Sequence, residues 1–99
     1  MSLDSVEEKM TAMIGDLGNL NATVKFDCKG EGIIFLDATC SPAEISHDDD
    51  VADCTIKIST QNLEKLLDGK LDPMLGFTMG KIKVKGSMGI AMKLTNLLN

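Results

Sequence analysis

Few residues in this 99-residue chain could do covalent or metal chemistry: one His, three Cys and no Tyr or Trp. Cys28, Cys40, Cys54 and His47 are zinc-ligand types, but no two of them form the close-spaced pair that zinc sites use. The run "HDDDVADC" supplies oxygen donors, yet it lacks the alternating acids and the glycine of a calcium loop. A short run of like charges reads as a solvated loop, and His47 as a solvated member of it. No nucleophile lies at a motif spacing from that imidazole. The glycines at 30, 32, 86 and 89 do not have the spacing of a phosphate loop. The thiols, without a CxxC pair, read as reduced and buried. No catalytic residue, no metal site and no cofactor is expected, and the chain reads as a non-enzyme.

What remains is apolar surface, and it concentrates in "GKIKVKGSMGIAMKLTNLL", residues 80–98. The last eleven of these form a helix in which Met88, Ile90, Ala91, Met92, Leu94, Leu97 and Leu98 cover an arc of about 220°. A helix lying on a sheet needs a stripe of only ~100°. The surplus face needs a second cover. Three covers are open: the apolar segment at residues 74–79, a second copy or partner, and a bound apolar molecule. Burying one methylene contributes about 0.8 kcal/mol, so an acyl chain could supply several kcal/mol with no catalytic group involved. Seven Met residues suit a lining that adapts to varied shapes.

Charge is unevenly placed. The net value is -5, but residues 1–53 hold three Lys against twelve acids, and residues 54–99 seven Lys against three. Every basic residue is Lys; without the bidentate fork of Arg, nucleic-acid recognition is not expected. Lys81, Lys83 and Lys85 alternate with Ile82 and Val84, the pattern of a strand's solvent face. The functional reading of the same three is contact with anionic lipid headgroups at a membrane surface. The longest unbroken apolar run, residues 33–36, is too short to span a bilayer. A cytoplasmic location is expected.

The elements that would position these groups follow from periodicity. Residues 3–17 repeat apolar groups at helical spacing, with Asp4 as N-cap, Glu7 three residues on, and Gly15 or Gly18 as the stop. "ATVKFDC" and "IIFLDAT" read as a hairpin about "KGEG". A turn at Ser41-Pro42 leads to a short third strand, and "CTIKI" alternates again. Ser59 or Thr60 caps a helix buried through Leu63, Leu66 and Leu67 and ended by Gly69. Pro73 suits the start of another helical turn. Met74, Leu75, Phe77 and Met79 beyond it are too apolar for an exposed loop and call for a cover. Gly86-Ser87 makes a corner, with Ser87 capping the last helix. Strands with one wet and one apolar face imply an α+β, two-layer fold of about five strands in one domain over residues 1–99.

Residues 52–98 resemble the sterol carrier protein type 2 family, the non-specific lipid-transfer domain. The resemblance is carried by "ADCTI", the "GKLDP" bend and "GKIKVKGSMGIAMKL"; the first half is similar in layout only. It implies a mixed five-stranded sheet, helices on one face and a hydrophobic tunnel between the layers. It also implies low-selectivity binding of a lipid or fatty acyl ligand: fatty acid, acyl-CoA, phospholipid or sterol. Carried over, Met74, Leu75, Phe77, Met79, Met88, Ala91, Met92, Leu94 and Leu98 would line the tunnel, with Leu66 and Leu67 closing one side. The Ser-Lys-Leu address at the end of many family members is not present, so peroxisomal targeting by that route is not expected. The middle strand lacks the family's Trp. The competing reading is an interaction module, in which the last helix packs on a partner or forms a weak homodimer.

Overall fold

The computed structural model describes residues 3–28, 30–40 and 43–98, without the side chains of Leu3 and Leu98. In chain order the elements are α1 (Leu3–Ala12), α2 (Ile14–Leu17), a 3-10 turn (Gly18–Leu20), β1 (Thr23–Cys28), β2 (Gly32–Asp37) and β3 (Glu44–Ser46). There follow β4 (Cys54–Ile58), α3 (Thr60–Leu67), α4 (Pro73–Thr78), β5 (Ile82–Gly86) and α5 (Met88–Leu98). The sheet is five-stranded in the order β3-β2-β1-β4-β5. β1 pairs antiparallel with β2 and parallel with β4, while β3 and β5 join their neighbours antiparallel.

Period-2 alternation decides which side chains face the helices. Val24, Phe26 and Cys28 of β1, Ile34 and Leu36 of β2, and Cys54, Ile56 and Ile58 of β4 are all buried, and the register puts them on one face. Thr23, Lys25, Asp27, Thr55, Lys57, Lys83 and Lys85 occupy the other. Helices segregated to the apolar face make this the mixed α+β sandwich expected from sequence. The parallel β1–β4 pair is pinned where the two strands begin. The Thr23 amide and hydroxyl donate to Asp53 Oδ2 at 3.1 and 3.2 Å, and the Asp53 amide returns a bond to Thr23 Oγ1 at 2.9 Å.

Several local expectations need correction. Asp4 lies inside the first turn of α1 and does not cap it. The helix breaks at Met13, resumes as α2 with Gly15 inside it, and ends through the 3-10 turn at Asn21, whose φ is 52°. Met10, Leu17 and Leu20 are all buried in the core. The turn assigned to Ser41-Pro42 lies outside the described residues. His47 is not merely solvated: its Nε2 pairs with Glu7 Oε1 on α1. Within the acidic loop, Asp49 accepts from Lys25 at 2.8 Å on the outer sheet face. On the helical side, Ser5 donates to Glu64 at 2.6 Å and Lys9 bonds Asp68, clasping α1 to α3.

The three thiols divide. All are free; Cys28 and Cys54 are buried, whereas Cys40 is exposed, against the expectation of buried thiols throughout. Cys40 sits on the turn after β2, which takes it outside the strand pattern that buries the other two. Burial pushes the Cys28 and Cys54 thiols up. A thiol-specific disulfide reagent is therefore expected to titrate Cys40 in the folded protein, and Cys28 and Cys54 only after denaturant. The unfolded chain gives up these two buried protons first, since their ordinary value is 9.0 and the folded values lie above it. Stability contributed by the buried thiols is thus present below that pH and falls as pH rises through it, which urea titrations across the alkaline range would measure.

Candidate functional site

Two short motifs fix the helices that border the site. Asp72 caps α4, its Oδ1 accepting from the Met74 amide at 2.9 Å and the Leu75 amide at 3.5 Å, and Pro73 follows at the first helical position. Gly76 brings α4 close to β5: a Cβ there would sit 2.9 Å from Ile82 Cδ1. At the other border, Gly86 turns the chain with φ 99°, and the Ser87 amide donates to the Asp53 carbonyl at 3.0 Å. Ser87 Oγ accepts from the Ile90 amide at 3.3 Å, so the corner caps α5 as its sequence suggests.

Between these helices lies an apolar cleft of about 140 Å³. Its floor is the inner face of β4 and β5: Ile56, Ile82 and Val84. Pro73, Met74 and Phe77 form the α4 wall, and Met88, Ala91, Met92, Leu94 and Thr95 the α5 wall. Leu66 closes it from α3. Burial is graded. Ile56, Leu66, Ala91 and Leu94 are buried, while Met74 and Met92 at the rim are 61% and 59% exposed. The cleft is thus open along one side.

Of the residues expected to line a lipid site, Leu66, Met74, Phe77, Met88, Ala91, Met92 and Leu94 border this cleft. Leu67, Leu75 and Met79 do not, and the side chain of Leu98 lies outside the described residues. Leu75 and Met79 point outward, 54% and 58% exposed, because Gly76 and Phe77 take the inner positions of the short α4. The cover expected over residues 74–79 is therefore not supplied by the described residues. Sequence reasoning missed Ile56, Ile82 and Val84 as site residues. Their alternation marked them as inward, and only the position of β4 and β5 beneath α4 and α5 separates a cleft floor from ordinary core. It missed Pro73 and Thr95 too.

The chemistry of this lining is narrow. Among the described residues Thr95 is the one polar side chain in it, and its hydroxyl donates to the Met92 carbonyl at 2.7 Å, so it offers the cleft no spare proton. Among the described residues no acid, base or thiol borders the cleft. Among the described residues no cluster of His, Cys, Asp or Glu could hold a metal ion. Also among them, no helix is long and apolar enough to cross a membrane. Lys83 and Lys85 stand on the opposite, polar face of the sheet, where Lys83 faces Lys57 across the β4–β5 pair.

A mixed sheet roofed on one face, with an apolar cleft under its last helix, defines an α+β sandwich with a greasy opening between helices and sheet. Residues 3–99 match the SCP-2 sterol transfer family, and the chain belongs to that family. Among its relatives is hydroxysteroid dehydrogenase-like protein 2 of Bos taurus, 38% identical over 82 residues. That match takes in 79% of this chain but only 20% of the relative, so the chain spans about a fifth of the longer protein. Among solved structures, the sterol carrier protein domain 2 of Helicoverpa armigera superposes with a TM-score of 0.77 at 30% identity, covering 96% of this chain and 83% of that one. Palmitated SCP2L2 of Aedes aegypti shares the fold at a TM-score of 0.74 and 17% identity, covering 100% of this chain and 96% of that one.

Proposed function

We propose that this chain is a non-catalytic lipid carrier that holds a single fatty acyl chain in the cleft between α4, α5 and the β4–β5 floor. The observation that carries the reading is a cleft lined by apolar side chains, whose one hydroxyl is already bonded to backbone. Such a site can reward apolar area and little else. Palmitation of the Aedes aegypti neighbour, which has the same fold, supports an acyl chain as the occupant.

Size sharpens the reading. A cleft of about 140 Å³ is comparable to cavities that hold benzene, far short of a long acyl chain. The remaining methylenes run along the open side between Met74, Phe77, Met88 and Met92, whose flexible or rim-placed side chains can part around them. With the Thr95 hydroxyl proton already given to backbone and no charged side chain on the walls among the described residues, the carboxylate, ester or thioester stays at the mouth. Acyl-CoA and phospholipid are then held through the same chain as free fatty acid. The free thiols suit a reducing compartment such as the cytoplasm.

Displacement of a fluorescent fatty-acid probe tests this. Saturated fatty acids of increasing length are expected to displace it with affinity rising with each methylene, by up to about 0.8 kcal/mol where the added group is fully buried. Fatty alcohols of equal length should compete within a few-fold. No displacement, or strict dependence on the carboxylate, would contradict the reading.

A further inference from the structure

A cleft of about 140 Å³ does not enclose a long acyl chain, and its two helical walls are held very differently. α5 packs on β4, β5, α2 and the 3-10 turn, and it buries Ala91 and Leu94. It is also bonded at its root, where the Ser87 amide donates to the Asp53 carbonyl at 3.0 Å. α4 packs chiefly on β5, and of residues 72–80 only Pro73 and Gly76 are buried. Its hydrogen bonds close on themselves. Asp72 takes the Met74 and Leu75 amides at one end. At the other, the Gly80 amide donates to the Phe77 carbonyl at 3.2 Å and the Lys81 amide to the Gly76 carbonyl at 2.9 Å. Among the described residues, no hydrogen bond or ion pair joins residues 72–80 to anything outside residues 72–81. The points where the chain enters and leaves this segment lie together. A Cβ on Gly76 would sit 2.9 Å from Ile82 Cδ1 and 3.5 Å from Leu71 Cδ2.

We infer that residues 72–81 are a flap: α4 lifts from β5 as a rigid unit about the Leu71–Ile82 side, and an acyl chain passes beneath Met74 and Phe77 onto the β4–β5 floor. Among the described residues, the lift breaks no hydrogen bond to the rest of the fold. It costs the apolar contact of Pro73 and Gly76, which the entering methylenes replace. A short helix closed at both ends keeps its backbone groups paired while it moves. Moving α5 instead would break the Ser87–Asp53 bond and expose Ala91 and Leu94. Lid segments are drawn from the weakly attached parts of a structure, and α4 is the weakly attached wall here. The inference rests on the lipid-carrier reading for its purpose. The motion itself is measured with and without cargo.

Spin-label distances decide it, in a Cys40→Ser background that leaves only the buried thiols. Labels at Leu75→Cys, on the outer side of α4, and Lys85→Cys, on the outer sheet face, report the flap. Labels at Lys93→Cys and Lys85→Cys report α5. These positions are exposed and none borders the cleft. On adding palmitate, the Leu75–Lys85 distance is expected to lengthen by a few ångströms, while the Lys93–Lys85 distance holds. Gly76→Val wedges a branched side chain against Ile82 and Leu71, and should lengthen the Leu75–Lys85 distance with no ligand present. Gly76→Ala is the milder wedge and should act in the same direction, which keeps the test open if the valine variant does not fold. Association of a fluorescent fatty acid should quicken about threefold or more in Gly76→Ala, because entry waits on the open fraction. Palmitate captured with the Leu75–Lys85 distance unchanged would overturn the flap and leave the carrier reading standing. So would equal lengthening of both pairs. If palmitate is not captured, the carrier reading falls, and ligand-free distances in the Gly76 variants equal to wild type would overturn the flap as well.

Discussion

Met92→Glu is expected to weaken capture of a fatty-acid probe by roughly 30- to 150-fold, equivalent to about 2–3 kcal/mol, while the protein stays folded. Met92 lies on the α5 wall of the cleft, one turn beyond Met88, and is 59% exposed. A carboxylate can therefore stand in water in the empty protein at little cost. An acyl chain entering the cleft must either strip water from that carboxylate or give up contact with the wall. The penalty falls on the bound state alone, so affinity drops without a matching loss of stability. Met79→Glu is the matched control. It places the same charge on an equally exposed Met that does not border the cleft, and probe capture should change by no more than about twofold. Fluorescence titration of both variants, with thermal melts alongside, checks the pair. Equal losses in the two would mean that charge near the helices, not occupancy of the cleft, controls binding.

Gly86→Ala should destabilise the fold by about 3 kcal/mol, lowering the melting temperature by roughly 15 °C in a domain of this size. Two causes act together. A Cβ at residue 86 would lie 2.6 Å from the Asp53 carbonyl oxygen and 3.3 Å from the Cys54 Cα, both backbone atoms that cannot rotate away. The φ of 99° is also unfavourable for any L side chain. The same Asp53 carbonyl accepts from the Ser87 amide, so the clash loosens the joint from which α5 springs. Gly89→Ala, three residues on, makes the contrast. Its nearest neighbour would be Ser87 Oγ at 3.8 Å, and the change sits in a helix. There alanine should stabilise by about 0.5–1 kcal/mol. Urea denaturation of the two variants separates a strained corner from a general intolerance of added bulk.

These contrasts show where local sequence carries the structure and where it does not. Alternation in residues 22–28, 54–58 and 81–85 is enough to assign the inner and outer faces of β1, β4 and β5, because a strand's side chains have a period of two whatever its neighbours do. The excess breadth of α5 was legible too, since its helical arc depends on that segment alone. The parallel pairing of β1 with β4 was not legible. It joins strands separated by the hairpin return and the acidic loop, and is held by Thr23 and Asp53, whose types alone say nothing of their meeting. The family resemblance carries Leu75 and Met79 onto the tunnel wall together with Phe77, as members of one bend. In a six-residue helix the run is too short for periodicity to say which side faces in; the Gly76–Ile82 approach decides it. Ile56, Ile82 and Val84 went unassigned for the converse reason, since a strand residue under a cleft looks like one under a helix. The pairing of His47 with Glu7 joins groups far apart in the chain, and no local pattern encodes it.

The central claim is that an acyl chain lies between α4 and α5 over the β4–β5 floor. Methionine methyl resonances read it most directly, since seven Met are spread through the chain. Met74, Met88 and Met92 border the cleft, Met10 is in the core beneath α1, and Met79 points outward. Titration of delipidated, methyl-labelled protein with palmitate is expected to shift the signals of Met74, Met88 and Met92 together, saturating at one chain per protein. Those of Met10 and Met79 should stay in place. Unmoved cleft methyls at saturating palmitate, or shifts centred on Met10 instead, would contradict the account.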